Sequence, residues 1–236
     1  EKLGLLCGGN RDVVKRRKNR SWLAFQIHLF DPDHLLAFLA KRLHFCFTRL
    51  AAVAAALTFF SAIVVFVLYW PSWEGFLRRS LGIRSLGTIY FPALLMMVFH
   101  EMAHGLACKH YGCDVHDMGV ILYYLQPCTY CDVSDSWMLD RRSRIMIMLA
   151  GVIAEGVAWS IFVWAAFWVE KDSLVGEILL GLIASSGTKT LFNLNPLIKL
   201  DGYYVLSDLL QIPNLRRHSF AYLAKRFSWA PGAAAK

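Results

Sequence analysis

The chain has 236 residues, of which 57% are hydrophobic, and its mean hydropathy of +0.44 lies above that of an ordinary soluble domain. Its net charge is +8, but the basic residues collect at the edges of apolar stretches, without a nucleic-acid-binding motif, which argues against a nucleic-acid partner. Six scattered cysteines do not form the framework of a small disulfide-rich secreted domain. We therefore predict an all-α integral membrane protein whose partner is the lipid bilayer. Because the sequence begins at Glu1, we expect it to be a piece of a longer protein.

Residues 1–49 are predicted to form a basic segment at the cytoplasmic surface of the membrane. Residues 11–20 carry six Lys and Arg, which is typical of a chain that is solvated or rests on anionic lipid headgroups. Asp31 then predicts a helix cap, with Pro32 at the first helical position. The apolar stripe over residues 35–47 makes this helix amphipathic and suits it to the membrane interface. A soluble helix packed on a partner domain would show the same pattern.

Four further segments are long and apolar enough to cross a hydrocarbon layer of about 30 Å. They are residues 50–70, 86–109, 145–169 and 174–197. We predict that they form a transmembrane core over residues 50–210, followed by a cytoplasmic segment over residues 211–236.

The third and fourth spans carry polar residues that predict how they face. Glu155 is the charged residue of the third span, and Gly151 and Gly156 beside it allow close helix approach, so Glu155 should face the bundle. The fourth span is interrupted by polar residues from Ser185 to Asn195 and must be shielded by its neighbours or line a wet cavity.

The distribution of Lys and Arg predicts the orientation of the spans. With a cytoplasmic amino terminus, twenty of these residues lie on the cytoplasmic side and four on the other, leaving Lys189 within the fourth span uncounted. This bias places both termini in the cytoplasm.

The second span contains His100-Glu101-x-x-His104, the signature of zinc proteases. Residues four apart share one face of a helix, so the two imidazoles can bind one metal while Glu101 stands beside them to accept a proton. Such polar side chains are expensive in lipid without a function. The alternative is a chance match in which both histidines pair or cap within the bundle.

A catalytic zinc usually has three protein ligands and an open fourth position. The best candidate for the third ligand is Asp201. Asn195-Pro196 disfavours helix at Asn195, and Gly202 permits unusual backbone angles, so Asp201 can turn back toward the bundle. The alternative is a surface turn at Asp201-Gly202 with Asp201 as a cap.

Together, two motifs resemble the site-2 protease family of intramembrane zinc metallopeptidases: His100-Glu101-x-x-His104 and Asn195-Pro196-x-x-x-Leu200-Asp201-Gly202. The resemblance covers residues 50–210. It implies that two histidines and the aspartate hold zinc, that the glutamate activates water, and that the site lies in the membrane near the cytoplasm. These roles fall on His100, His104, Asp201 and Glu101.

One position departs from the family, which often has a second proline where this chain has Ile198. The sequence from Cys128 to Asp135 and the Asn195–Tyr204 motif further resemble a bacterial subgroup of peptide zinc metalloproteases, which implies a bacterial cytoplasmic membrane.

The implied reaction is hydrolysis of peptide bonds in membrane-embedded or membrane-associated peptides, with Zn²⁺ as cofactor and Glu101 as general base. Asn195 is a candidate donor to the developing oxyanion, or merely a cap at the helix break. The alternative function is a non-proteolytic zinc-binding membrane protein that acts in peptide export, maturation or sensing.

Four cysteines form a second candidate group on the cytoplasmic side: Cys108, Cys113, Cys128 and Cys131. Their spacing permits a four-cysteine zinc site, whereas free cysteines packed against the bundle are the alternative.

Overall fold

The computed structural model describes residues 24–69, 86–123, 126–170 and 173–227. The basic block over residues 11–20 lies outside the described residues. The elements follow in chain order: β1 (Ala24–Phe30), α1 (Asp33–Arg42), a 3₁₀ turn (His44–Phe47), α2 (Arg49–Leu68), α3 (Leu86–His110), β2 (Met118–Tyr123), β3 (Gln126–Cys131), a second 3₁₀ turn (Ser134–Met138), α4 (Arg141–Trp168), α5 (Leu174–Leu194), α6 (Asp201–Leu210) and α7 (Leu215–Phe227).

Helices α2 to α5 are each long and apolar enough to cross a membrane. They correspond to the four predicted spans, and the predicted class of a helical membrane protein is confirmed. Helix α2 leaves most of its apolar surface uncovered, with Leu50 80% and Leu57 66% exposed. An uncovered apolar face of this length suits contact with lipid rather than water.

Polar side chains fix the amino-terminal ends of three of these helices. The Thr48 hydroxyl accepts the backbone N–H of Ala51, and the Ser173 hydroxyl accepts that of Gly176. The Asp140 carboxylate accepts two N–H groups of the first turn of α4. Each cap satisfies donors that the helix itself leaves unpaired.

Helix α4 lies at the centre of the bundle, where it packs against α2, α3, α5 and α6. Its side chain Val163 is fully buried with Ala62 of α2 and Ile183 of α5. Because α4 contacts every other helix that carries a candidate site residue, it sets the distances among them.

A three-stranded antiparallel sheet, ordered β1-β2-β3, accompanies the bundle and was not predicted. Strand β1 pairs with β2, which lies about ninety residues further along, as in the pair His28 and Gly119. Strand β3 packs against α3, and a Cβ at Gly105 of α3 would lie 3.1 Å from Cys131 Sγ. The sheet therefore covers the helix that carries the two histidines.

Helix α1 begins one residue later than predicted. Pro32 occupies the cap position and has no polar side-chain atom that could cap the helix, while Asp31 Oδ1 accepts the N–H of Asp33 in a turn. Leu36 is fully buried against α3, whereas Phe38 is 54% exposed. The helix thus packs on its own chain and keeps an apolar outer face.

Asp33 connects α1 to the end of α3, and this contact predicts a pH dependence. Its Oδ1 accepts from Lys109 Nζ at 2.7 Å and from the Val115 N–H at 3.0 Å, which together hold the pKa of Asp33 below its usual value. A lowered folded-state pKa gives stability that is present above about pH 4 and lost as the pH falls through the lowered value. We expect Asp33→Asn to speed amide hydrogen exchange in α1 at pH 7, and to match the wild type in strong acid.

Asp114→Asn is the control for this prediction. Asp114 also contacts Lys109 Nζ, at 2.8 Å, but its side chain is 63% exposed and it does not touch α1 through this bond. Equal exchange in the Asp33 and Asp114 variants would contradict the assigned role of Asp33.

Candidate metal centre

Three side chains predicted as metal ligands lie together in the structure. His100 and His104 are buried on one face of α3, and Asp201 is the first residue of α6. His100 Nε2 lies 2.9 Å from both His104 Nε2 and Asp201 Oδ2, and His104 Nε2 lies 3.4 Å from Asp201 Oδ2. The fold thus brings together two motifs that lie about a hundred residues apart in the sequence.

The contacts that the two rings make through their Nδ1 atoms leave both Nε2 atoms suitable as metal ligands. His104 Nδ1 lies 2.7 Å from the carbonyl oxygen of Ile147, so Nδ1 carries the proton and Nε2 presents a lone pair. His100 Nδ1 faces Glu155 Oε2 at 3.3 Å, which favours the same tautomer. Two nitrogen lone pairs and one carboxylate oxygen then converge without a proton among them.

This arrangement fits a zinc ion in both chemistry and size. Two imidazoles and one carboxylate are a usual ligand set for catalytic zinc, and ligands at about 2.0–2.1 Å in a tetrahedron lie about 3.3 Å apart. The three atoms here are separated by 2.9 to 3.4 Å. A cation between them would compensate the mutual repulsion of their lone pairs.

Glycine at position 151 of α4 makes room for both rings. A Cβ at Gly151 would lie 2.5 Å from His100 Cε1 and 2.6 Å from His104 Nε2, far inside contact distance. The close helix approach predicted from Gly151 thus occurs between α4 and α3, where it leaves room for the two imidazoles.

The break after α5 brings Asp201 back to the bundle. Helix α5 ends at Leu194, and Asn195 adopts an extended conformation with its Oδ1 accepting the N–H of Leu197. Asn195 thus takes the capping role in the structure, while its role as an oxyanion donor stays a prediction.

Gly202 contributes to this turn for a different reason from the predicted one. We predicted unusual backbone angles, but among the described glycines positive φ occurs at Gly112 and not at Gly202. A Cβ at Gly202 would lie 2.4 Å from the carbonyl oxygen of Leu194. The glycine therefore allows the start of α6 to touch the end of α5.

A salt bridge holds α6 in place from its other end. Arg144 of α4 binds Asp208 through Nε and Nη2, at 3.1 and 3.2 Å, and Arg141 donates to the Leu209 carbonyl. Such a two-point contact fixes direction as well as distance. It orients the helix that begins with Asp201.

Glu101 borders the same cavity as the ligands. A cavity of about 270 Å³ contains Glu101, His104 and Asp201 in its wall. The rest of the wall comes from the end of β3, the chain around the second 3₁₀ turn, α4 and α6: Cys131, Asp132, Val133, Ser134, Ser136, Trp137, Met148 and Tyr204. A molecule bound in this cavity would lie beside both the ligand cluster and the Glu101 carboxylate.

Asn193 is a neighbour of the site that the sequence did not assign to it. It is buried, and its Nδ2 lies 3.4 Å from His100 Nε2. Its one signal in the sequence was its place in the polar stretch of the fourth span, which does not distinguish it from the other polar residues there.

The four cysteines do not form a metal site among the described residues. Cys108 and Cys113 are buried in an apolar cluster with Leu36 and Val115. All four are free thiols, and burial raises the pKa of Cys131, which disfavours the thiolate that a metal needs. This arrangement supports the alternative of cysteines packed against the bundle.

Comparison with known proteins gives one distant likeness. The chain is 25% identical over 130 residues to a protein of Bacillus subtilis (strain 168) named "Putative peptide zinc metalloprotease protein YydH". The match covers 55% of this chain and 49% of that protein, so the chain spans about half the length of its relative. No protein-family model and no solved structure matches the chain. The likeness to the site-2 protease family stays a prediction.

Proposed function

We propose that this chain is an intramembrane zinc metalloendopeptidase of the site-2 protease type. The observation that carries the proposal is the convergence of His100, His104 and Asp201 beside Glu101, where α6 begins next to α3, a helix apolar enough to cross a membrane. The name of the Bacillus subtilis relative points to the same chemistry.

The ligand cluster has a defined role in this reaction. His100, His104 and Asp201 hold zinc, which when bound lowers the pKa of water and polarises a carbonyl. Glu101 accepts the proton of the attacking water on its carboxylate and returns it to the leaving amine. Asn195, whose Oδ1 is bonded to Leu197, presents its amide nitrogen as a donor to the developing oxyanion.

The substrates are membrane-embedded or membrane-associated peptides. An amide in a helix is occupied by its own hydrogen bonds, so a transmembrane substrate must unwind locally before it enters the cavity. We place both termini in the cytoplasm, as the distribution of Lys and Arg indicates. The resemblance to a bacterial subgroup assigns the protein to a bacterial cytoplasmic membrane.

The test compares wild type and Glu101→Gln in the same membranes, with peptide fragments identified by mass spectrometry. Glutamine keeps the shape of glutamate but cannot accept the proton, so we expect the fragments to disappear while zinc stays bound. Glu177→Gln, at an exposed position in the first turn of α5, is the matched control and should cleave normally. Identical fragments from wild type and Glu101→Gln would favour a non-proteolytic zinc-binding protein.

A further inference from the structure

A buried ion pair lies directly behind one of the proposed zinc ligands. Glu155 of α4 is fully buried, and its Oε2 lies 3.3 Å from His100 Nδ1. Lys189 Nζ of α5 lies 2.7 Å from Oε1 of the same carboxylate. The Thr190 hydroxyl, also on α5, donates to Oε2 at 3.0 Å. One carboxylate thus joins three membrane-spanning helices at the back of the metal centre.

We propose that Glu155, held by Lys189, is a positioning residue that orients the His100 ring toward zinc, an inference that rests on the proposed function. His100 Nδ1 is buried and has no hydrogen-bond partner among the described residues. A rotation of the ring that shortens the 3.3 Å contact by a few tenths of an ångström joins Nδ1–H to Glu155 Oε2.

This contact acts on His100 in two ways. A carboxylate that accepts the Nδ1 proton fixes the tautomer, so that the Nε2 lone pair points to the metal. It also makes the imidazole a more basic ligand. His104 obtains its orientation from a neutral backbone carbonyl, that of Ile147. The two histidines therefore receive different support, and removing Glu155 should affect His100 alone.

Lys189 explains how a charged carboxylate is held at this depth. An unpaired carboxylate buried in a bundle is strongly destabilising, and an intramembrane charge normally has a partner. Lys189 supplies the opposite charge on Oε1, which leaves the lone pairs of Oε2 for the Thr190 hydroxyl and the His100 ring. Its ammonium also approaches the carbonyl oxygen of Met96, on α3, at 3.5 Å.

A purely structural ion pair is the rival explanation. In that case Glu155 and Lys189 only attach α4 to α5, and removing both charges together leaves the zinc site intact. If Glu155 acts on His100, the double variant still lacks the anionic acceptor, even though neither charge is left unpaired. The two explanations predict different zinc affinities for the double variant, but both predict that it folds.

The experiment measures the zinc dissociation constant of the full chain in detergent by competition with a chromophoric chelator. The variants are Glu155→Gln/Lys189→Met and Glu155→Gln, and folding is checked by circular dichroism. Loss of a group that is hydrogen-bonded to a metal ligand typically weakens metal affinity about 10- to 100-fold. We therefore expect the zinc dissociation constant to rise by about 10- to 100-fold in both variants. Cobalt-substituted protein should also show a shifted d–d spectrum in both variants. Ser160→Ala is the control, because Ser160 is a fully buried residue of α4 whose hydroxyl donates to the Gly156 carbonyl, and this variant should bind zinc as the wild type does.

Each outcome decides between the explanations. A folded double variant with wild-type affinity and an unchanged cobalt spectrum overturns the inference and leaves the proposed function standing. If both variants fail to fold, Glu155 is a folding residue and the inference is likewise overturned. If the wild type binds zinc no better than His100→Ala/His104→Ala does, the proposed function itself is wrong.

Discussion

Gly151→Ala is expected to abolish zinc binding while the helices still insert into the membrane. The added methyl group would lie 2.5 Å from His100 Cε1 and 2.6 Å from both Nε2 atoms, where real Cβ contacts essentially never fall below 3.0 Å. Neither ring can simply move away from the new methyl group. The His104 ring is hydrogen-bonded to the Ile147 carbonyl, and the His100 ring has Glu155 on the side away from the metal centre. The rings must turn away from each other, which removes two of the three ligands.

Zinc content of the purified protein, measured by elemental analysis, checks this prediction. Gly156→Ala is the matched control, since it lies on the same helix and its methyl group would meet Phe59 at 3.7 Å, an ordinary contact. Alanine is also the better helix former at both positions. We therefore expect near-normal zinc content for Gly156→Ala. Stoichiometric zinc in Gly151→Ala would show that the rings do not occupy the observed position.

The local part of the site could be predicted because it depends on helix geometry alone. His100 and His104 are four residues apart, and any α-helix places such residues on one face. The four membrane spans could also be predicted from the sequence, because a bilayer requires long runs of apolar residues whatever the tertiary structure. In both cases the signal lies within a single element.

The surroundings of His100 could be predicted only in part. The small residues beside Glu155 indicated that this carboxylate faces the bundle, and it is fully buried. Its partners could not be named, because they depend on how α5 is rotated about its axis. A rotation of α5 by half a turn would have pointed both Lys189 and Thr190 away from the carboxylate.

The sheet and the role of Gly202 were missed for a similar reason. Strand β2 is a six-residue run, and such short apolar runs are ambiguous between strand and buried helix. Its pairing with β1 joins segments about ninety residues apart, as His28 and Gly119 show. At Gly202, a glycine needed for positive φ and one needed for close approach look identical in sequence.

Gly202→Ala is expected to remove Asp201 from the metal centre. The new Cβ would lie 2.4 Å from the Leu194 carbonyl oxygen and 2.5 Å from its carbon. These are backbone atoms at the end of α5, so they cannot rotate aside as a side chain does. The amino-terminal end of α6 must therefore shift, and it carries Asp201 away from His100. Chelator competition should show a loss of zinc affinity comparable to that of Asp201→Ala.

The double variant Asp201→Ala/Gly202→Ala separates this effect from general destabilisation. If Gly202 acts through Asp201, the two substitutions share one consequence, and the double variant should bind zinc as weakly as Asp201→Ala alone. Additive losses would mean that the methyl group disturbs the histidines as well. Gly87→Ala, at an exposed helical position with no atom within 4 Å of the new Cβ, should leave zinc affinity unchanged. Because Arg144 binds Asp208 near the carboxyl end of α6, the displacement of α6 should be largest at Asp201, at its amino-terminal end.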